Sequence, residues 1–163
     1  MSEPVYPYYL DASAVVRLVV DEPGSKDLRK YFDATPNACV ALVSFFEALG
    51  VMKRKWQNKW DEPDYHDAVK CLLQMMYGGK PEVDNMALAD PFTFKSLRQI
   101  AEQRNLDFAD AFQLFAILNG KYAPFASGSK TRFISADKDL VRAARSKGIS
   151  TWNCSRDGEP NWA

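Results

Sequence analysis

The feature that most constrains the fold is the alternation of short, apolar, β-prone segments with helical patterns along the whole chain. Strands are predicted at Val5 to Leu10, Cys39 to Val43, Arg132 to Ser135 and Ile149 to Asn153. Helices are predicted at 11–20, 25–32, 44–60, 64–76, 94–103, 106–118 and 137–147, where apolar residues follow helical spacing or fill a buried helix. Such alternation predicts an α/β fold in three layers, with a central, mainly parallel sheet flanked by helices on both faces.

The length of the chain favours a single domain. With 163 residues it lies in the usual range for one domain, and folding would hide roughly 70% of the surface that the unfolded chain exposes. We expect one domain over residues 1–154, followed by a C-terminal tail over 155–163. At 47% hydrophobic and 26% charged residues, the composition excludes disorder, collagen and coiled coil.

Charge and cysteine content exclude several classes of function. The 21 basic and 21 acidic residues cancel, so no overall positive field draws the chain to nucleic acid, and any such contact needs a local patch. The three cysteines are far apart and form no C-x-x-C motif, which argues against a disulfide framework or a zinc knuckle. The start resembles no secretory signal, and no apolar stretch is long enough to cross a membrane. We therefore expect no membrane association and a cytoplasmic location.

Four acidic residues interrupt apolar sequence at or just after a predicted helix start, and three of them lie near the end of a strand. They are Asp11, Glu47, Asp110 and Asp137. In an open parallel sheet the carboxyl ends of the strands share one edge, where ligands bind. Carboxylates placed side by side repel one another, and a divalent cation offsets that cost. Hard oxygen donors without histidine or cysteine suit Mg²⁺ or Mn²⁺.

Helix capping is the alternative for each of these acids. Ser44-Phe-Phe-Glu47 fits the S-x-x-E capping box, and Asp107-Phe-Ala-Asp110 is a near relative of it. Asp11 and Asp137 can be simple N-caps. Spacing alone does not distinguish a cap from a ligand, so both interpretations stand at this stage.

The acids lie in segments that carry a family resemblance. In order along the chain they are Tyr9-Leu-Asp11-Ala-Ser-Ala-Val-Val, Val43-Ser44-Phe-Phe-Glu47, Phe108-Ala-Asp110-Ala-Phe-Gln-Leu and Phe133-Ile-Ser135-Ala-Asp137-Lys-Asp-Leu. The ordered set resembles the PIN-domain ribonucleases and is most similar to the VapC-type toxins of toxin-antitoxin pairs. No single motif is specific, but the set spans most of residues 5–154.

The resemblance implies a PIN-like domain that is a Mg²⁺- or Mn²⁺-dependent endoribonuclease, with Asp11, Glu47, Asp110 and Asp137 as catalytic residues and metal ligands. It further implies an RNA substrate, a cognate antitoxin and a homodimer. Ser13 and Ser135 match positions where the family often has Ser or Thr near the acids. The acids Asp107 and Asp139 rank behind the assigned four. In a departure from the family, Gln113 replaces a histidine that many of these toxins carry, which is expected to alter substrate contacts.

Two further segments bear on nucleic-acid binding and on catalysis by histidine. Lys53-Arg54-Lys55-Trp56-Gln-Asn-Lys59-Trp60 interleaves basic residues with indoles, a pattern typical of RNA-binding surfaces, although tryptophans four residues apart are more often packed in a core. His66 is the only histidine and lies on the polar side of its helix, so a histidine triad or zinc site is disfavoured.

Two other functions remain open from the sequence. One is a phosphatase that uses Asp11 as its nucleophile, because an aspartate after the first strand also suits acyl-phosphate chemistry. The residue two places on is Ser13, where such hydrolases usually have a second aspartate. The other is a non-catalytic binding module that keeps the fold.

Overall fold

The computed structural model describes residues 6–58, 61–86, 90–123, 131–160 and 162. Its centre is a sheet of five parallel strands in the order β3-β2-β1-β4-β5. The strands are β1 (Tyr8–Leu10), β2 (Ala38–Ala41), β3 (Glu82–Asp84), β4 (Arg132–Ser135) and β5 (Ser150–Asn153). The predicted three-layer α/β fold is confirmed, and in the described residues the sheet is wholly parallel.

Strand β3 is the element that the sequence analysis missed. It is only three residues long, two of them acidic, and it lies at the edge of the sheet. Its one pairing, with Val83 opposite Val40 of β2, joins residues far apart in the sequence. A short polar edge strand has no periodicity of its own, so only tertiary pairing makes it a strand.

Seven helices in the described residues cover the two faces of the sheet. They are α1 (Ala12–Val19), α2 (Ser25–Ala34), α3 (Leu42–Asn58), α4 (Glu62–Tyr77), α5 (Pro91–Arg104), α6 (Phe108–Asn119) and α7 (Lys138–Ser146). Helices α1 to α4 pack on one face, and α5, α6 and α7 pack on the other. Helix α3 also contacts α6, so the two helical layers touch each other as well as the sheet.

Two apolar cores follow from the two-residue period of the strands. In β1, Tyr8 and Leu10 enter the core beneath α1 to α4, whereas Tyr9 enters the opposite core. In β4, Ile134 enters the core beneath α1 to α4 and Phe133 enters the opposite core. All five of these side chains are fully buried. A sheet buried on both faces explains why the strands read as continuous apolar runs in the sequence.

The topology creates a crevice at the carboxyl edge of the sheet. The connections that leave β1 and β2 carry α1 to α4 over one face, and those that lead to β4 and β5 carry α5 to α7 over the other. The strand order therefore reverses between β1 and β4. Doubly wound sheets bind their ligands at such a switch point, outside the carboxyl ends of the strands.

The described C-terminal residues contact the domain. The Trp162 ring lies 6.0 Å from the Tyr31 ring, and its face receives the Arg132 guanidinium at 4.7 Å. Lys30 forms an ion pair with Glu159. None of the helices in the ranges given above is long and apolar enough to cross a membrane.

Candidate active site

A pocket of about 300 Å³ lies at the switch point, and all four predicted acids line it. Asp11 follows β1, Asp137 follows β4, Glu47 lies in the second turn of α3, and Asp110 lies in the first turn of α6. The fold thus brings together four segments that are far apart in the sequence. Asp107, which the sequence ranked behind the four assigned acids, lines the same pocket.

Asp11 is a buried, hydrogen-bonded carboxylate. It is 4% exposed and is the N-cap of α1, where its Oδ1 accepts the Ala14 N–H at 2.8 Å. Burial raises the pKa of Asp11, while hydrogen bonds from Ser135, Ser13 and Ala14 act in the opposite direction. The capping interpretation of Asp11 is therefore confirmed, and the residue lines the pocket as well.

Two serines link Asp11 to the turn between β4 and α7. The Ser13 hydroxyl donates to Asp11 Oδ1 at 2.7 Å and accepts the Ala136 N–H at 2.9 Å. The Ser135 hydroxyl donates to Asp11 Oδ2 at 2.6 Å and accepts the Asp137 N–H at 2.9 Å. Each serine therefore connects one Asp11 oxygen to a backbone amide across the crevice, which fixes the orientation of the carboxylate.

Asp137 also caps a helix. Its Oδ1 accepts the backbone N–H groups of Asp139 at 2.7 Å and Leu140 at 3.1 Å, at the start of α7. The side chain of Asp139 pairs with Arg142 at 2.9 Å, and Asp139 does not line the pocket. Asp139 therefore lies outside the pocket, unlike Asp107, which was given the same rank.

The structure excludes a capping role for Glu47. Helix α3 begins at Leu42, two residues before the predicted start, so Ser44 lies inside the helix rather than at its N-cap. Ser44 is fully buried, and its hydroxyl has no hydrogen-bond partner among the described residues. The predicted capping box is therefore wrong. Burial raises the pKa of Glu47, and the charges of Asp11, Asp107 and Asp137 raise it further.

Asp107, not Asp110, caps α6. The Asp107 Oδ1 accepts the Asp110 N–H at 2.8 Å, and the Asp110 carboxylate has no hydrogen-bond partner in the described part of the chain. Burial, followed by the charge of Asp107 and those of three further acids of the pocket, raises the pKa of Asp110 to about 7. Each ionised acid of the pocket therefore makes ionisation of its neighbours less favourable.

The donor set has the chemistry of a site for a hard divalent cation. Its candidate ligands are carboxylate oxygens, and no histidine or cysteine lines the pocket. Within the described ranges, however, no three His, Cys, Asp or Glu side chains stand together as a preformed ligand group. The pocket therefore gathers suitable ligands without arranging them as a complete coordination sphere.

Two cations and a sixth carboxylate complete the wall of the pocket, and the sequence analysis missed two of these three residues. Arg17 and Glu22 were not singled out, and Lys55 was assigned to the basic segment of α3. Both cations contact Glu22. The described lining residues comprise six carboxylates and two cations, a formal charge of −4 when all are ionised. Lys55 could have been assigned to the pocket from the sequence, because Glu47, Val51 and Lys55 are four residues apart and therefore lie on one face of the helix.

The remaining predictions have mixed outcomes. Gln113 is 1% exposed, and both polar atoms of its amide lack a partner in the described residues, so its expected contact with substrate has no support. Trp56 stacks on Tyr65 with ring centroids 5.0 Å apart, which favours packing over RNA stacking. Lys59 and Trp60 lie outside the described residues. His66 is exposed on α4, away from the pocket.

Comparison with known proteins supports the fold alone. No family model matches the chain. The search of curated proteins finds no match either. Among solved structures, the crystal structure of PAE2754 from Pyrobaculum aerophilum is similar, with a TM-score of 0.61 and 16% sequence identity over 90% of this chain and 83% of that one. At this identity the likeness establishes a shared three-layer architecture.

Proposed function

We propose that this chain is a divalent-metal-dependent endoribonuclease that hydrolyses phosphodiester bonds of RNA. One observation carries the proposal. Asp11, Glu47, Asp110 and Asp137, which the sequence analysis assigned on motif order, all line one pocket at the switch point of the sheet. Helix capping explains two of them and leaves Glu47 and Asp110 without a structural role.

The charge of the pocket supports a requirement for a cation. A formal charge of −4 repels the phosphate backbone of RNA, because like charges at close range in a partly buried pocket are poorly screened. A bound Mg²⁺ or Mn²⁺ would remove half of that charge and act as a Lewis acid on water and on the scissile phosphate. Asp11, Glu47, Asp110 and Asp137 are the residues that would hold it.

The chain's own residues divide the work. Asp11 is a fixed anchor, because Ser13 and Ser135 hold both of its oxygens. Either Glu47 or Asp110 would instead accept the proton of the attacking water at a carboxylate oxygen, because neither carboxylate accepts a hydrogen bond in the described residues.

The resemblance to VapC-type toxins supports a cellular role. We propose that the protein is the toxin of a toxin-antitoxin pair, acts in the cytoplasm and is held inactive by a cognate antitoxin. The acidic pocket would suit an antitoxin segment that carries arginine or lysine. A homodimer is part of the same proposal, and the exposed rings of Phe92 and Phe94 on α5 offer apolar surface for it.

Two alternatives remain, and the geometry disfavours one of them. A phosphatase of this kind usually carries a second aspartate two residues after its nucleophile, whereas this chain has Ser13 there, and its hydroxyl donates to Asp11 Oδ1 at 2.7 Å. A non-catalytic binding module would keep the fold and the pocket. Only turnover separates this module from the nuclease.

The decisive experiment is cleavage of a labelled single-stranded RNA by the purified full chain. Cleavage with Mg²⁺ or Mn²⁺ that stops on addition of EDTA is the expected result. Undiminished cleavage in EDTA would contradict the metal mechanism. RNA binding without cleavage at any metal concentration would favour the binding module.

A further inference from the structure

Lys55 occupies an unusual place in the acidic pocket. It lies on the stripe of α3 that also carries Glu47 and Val51, and all three line the pocket. Its ammonium contacts Glu22 Oε1 at 2.5 Å, and Glu22 is its only charged partner in the described part of the chain. The pocket that gathers the acids therefore also contains a lysine that forms an ion pair with a single carboxylate.

Glu22 is fixed by its loop. Its backbone N–H donates to Ser25 Oγ at 3.0 Å, and the Ser25 N–H donates to the Glu22 carbonyl at 3.0 Å. Gly24 has a φ of 87°, and a Cβ at that position would lie 1.6 Å from the Cys154 carbonyl oxygen, so the loop is packed against the strand end. The backbone that carries the Glu22 side chain is thus held in place.

Arg17, the second cation on Glu22, is also fixed. Its guanidinium contacts Glu22 Oε2 at 3.1 Å and donates to the carbonyls of Pro23 at 3.0 Å and Ser13 at 2.9 Å. The side chain of Arg17 is 12% exposed, whereas that of Lys55 is 35% exposed. Of the three groups, Lys55 alone combines a flexible four-carbon stem with a single ionic partner.

We propose that Lys55 is the substrate-positioning residue of this pocket and that it exchanges Glu22 for a phosphate of the RNA backbone. This inference rests on the proposed ribonuclease function. Before RNA binds, Glu22 holds the ammonium away from the acids that would ligate the metal. Once RNA enters, the ammonium contacts a phosphate next to the scissile one, and Arg17 keeps Glu22 partly neutralised.

The first test measures binding of a single-stranded RNA oligonucleotide as a function of salt, with Ca²⁺ in place of Mg²⁺ so that binding is measured apart from cleavage. Loss of one lysine–phosphate contact should lower the slope of log K against log salt by about 0.7 in Lys55→Ala. The affinity should fall about fivefold, as for a half-exposed ion pair. Lys70→Ala, an exposed lysine on α4 outside the pocket and outside the basic segment of α3, is the matched control and should change neither quantity.

The second test uses Glu22→Gln, which frees Lys55 while the backbone bonds to Ser25 keep the loop. RNA should bind more tightly than to wild type, about severalfold, because the phosphate no longer competes with a carboxylate. Asp21→Asn removes a neighbouring charge that pairs with Arg29, so it controls for the general effect of charge. In the Lys55→Ala background, Glu22→Gln should raise RNA affinity no more than Asp21→Asn does. Lys55→Arg in place of Lys55→Ala should restore binding.

Each outcome decides between the two proposals. If wild type cleaves RNA but Lys55→Ala behaves as Lys70→Ala and Glu22→Gln as Asp21→Asn, the role of Lys55 is overturned and the nuclease stands. If wild type binds RNA without cleaving it and the Lys55 and Glu22 effects hold, the reaction fails and the phosphate contact stands. If wild type neither binds nor cleaves RNA, both are overturned. Thermal melts of each variant show whether the fold is kept.

Discussion

The acidic pocket has two sides that differ in construction. On the strand side, Asp11 and Asp137 follow β1 and β4, cap helices and accept hydrogen bonds from serine hydroxyls or backbone amides. On the helix side, Glu47 and Asp110 project from α3 and α6 and accept no hydrogen bond in the described residues. Burial and the neighbouring acids raise the pKa of both helix-side carboxyls.

The difference shows how one pocket can serve both stability and chemistry. A carboxylate that caps a helix stabilises the fold whether or not it has a ligand. A half-buried carboxylate without a hydrogen bond costs stability when ionised, so its presence needs another explanation. The strand side is therefore anchored by the fold, and the helix side is where ligand binding should have its largest effect on stability.

The largest expected effect is on RNA cleavage. Neutralising an acid on the strand side of the pocket should be as harmful as neutralising one on the helix side. Asp11→Asn and Asp110→Asn should each lower RNA cleavage by at least about a hundredfold, the size expected when one preorganised electrostatic contact is lost. Single-turnover cleavage at saturating Mn²⁺ measures it, with Asp67→Asn on the exposed face of α4 as the control. A wild-type rate for Asp11→Asn would leave Asp11 as a cap alone.

The second prediction concerns stabilisation by metal. A ligand that binds only the folded state adds about 2.7 kcal/mol to the free energy of unfolding at a hundredfold excess over its Kd. The melting temperature of wild type should therefore rise with Mn²⁺. Glu47→Gln and Asp110→Asn should lose most of that rise, and Asp67→Asn should keep it. Equal shifts in wild type and both helix-side variants would remove these acids from the proposed metal site.

The fold was largely predictable because its signals are local. Continuous apolar strands, amphipathic helices and the residues that break them lie within short windows of the sequence, and their alternation determines a parallel sheet. Strand β3 was not predictable in this way, because its three residues become a strand only through pairing with β2. The predicted start of α3 was wrong by two residues, because Leu42 and Val43 continue the apolar run of β2 without a break.

The site was predictable where acids follow strand ends, because topology alone brings those ends to one edge. Motif order led to Glu47 and Asp110, and the structure then separated them from helix caps. Glu22 and Arg17 were missed, because their role depends on a loop that packs against the end of β5. No spacing rule connects a residue of that loop with a lysine more than thirty positions away.

The third prediction is that, in EDTA, neutralising an acid changes the free energy of unfolding in opposite directions on the two sides of the pocket. Asp11→Asn places an amide donor where three donors converge, so it should lower the free energy of unfolding by about 1–3 kcal/mol. Asp110→Asn should leave it unchanged or raise it. The raised pKa of Asp110 means that burial and repulsion outweigh the benefit of a negative charge in the first turn of a helix.

Urea unfolding of the metal-free proteins measures both changes, and Asp67→Asn should stay within about 0.5 kcal/mol of wild type. Destabilisation of Asp110→Asn to the same extent as Asp11→Asn would mean that the helix side is a structural element like the strand side. The contrast between the two sides would then fail, whatever the effect on cleavage.

The smallest expected effect is on the pH dependence of stability without metal. The Asp110 pKa rises from an ordinary 3.8 to about 7 in the folded chain. Between these values the folded state keeps a proton that the unfolded state has lost, so unfolding releases a proton and stability falls as pH increases. Below pH 3.8 the carboxyl is protonated in both states and has no effect. Above pH 7 it is ionised in both, and the full destabilisation is present.

Asp110→Asn removes this group from the titration. The free energy of unfolding in EDTA should therefore fall less steeply for the variant than for wild type between about pH 4 and 7. The difference in slope should correspond to less than one proton at any pH, because Asp110 is a single titrating group. The two proteins should differ least near pH 4, and the variant should gain on wild type up to about pH 7. Asp67→Asn controls for loss of an exposed carboxylate. Parallel pH profiles for wild type and Asp110→Asn would show that Asp110 ionises as freely in the pocket as in the unfolded chain, and the helix side would carry no electrostatic strain for a cation to relieve.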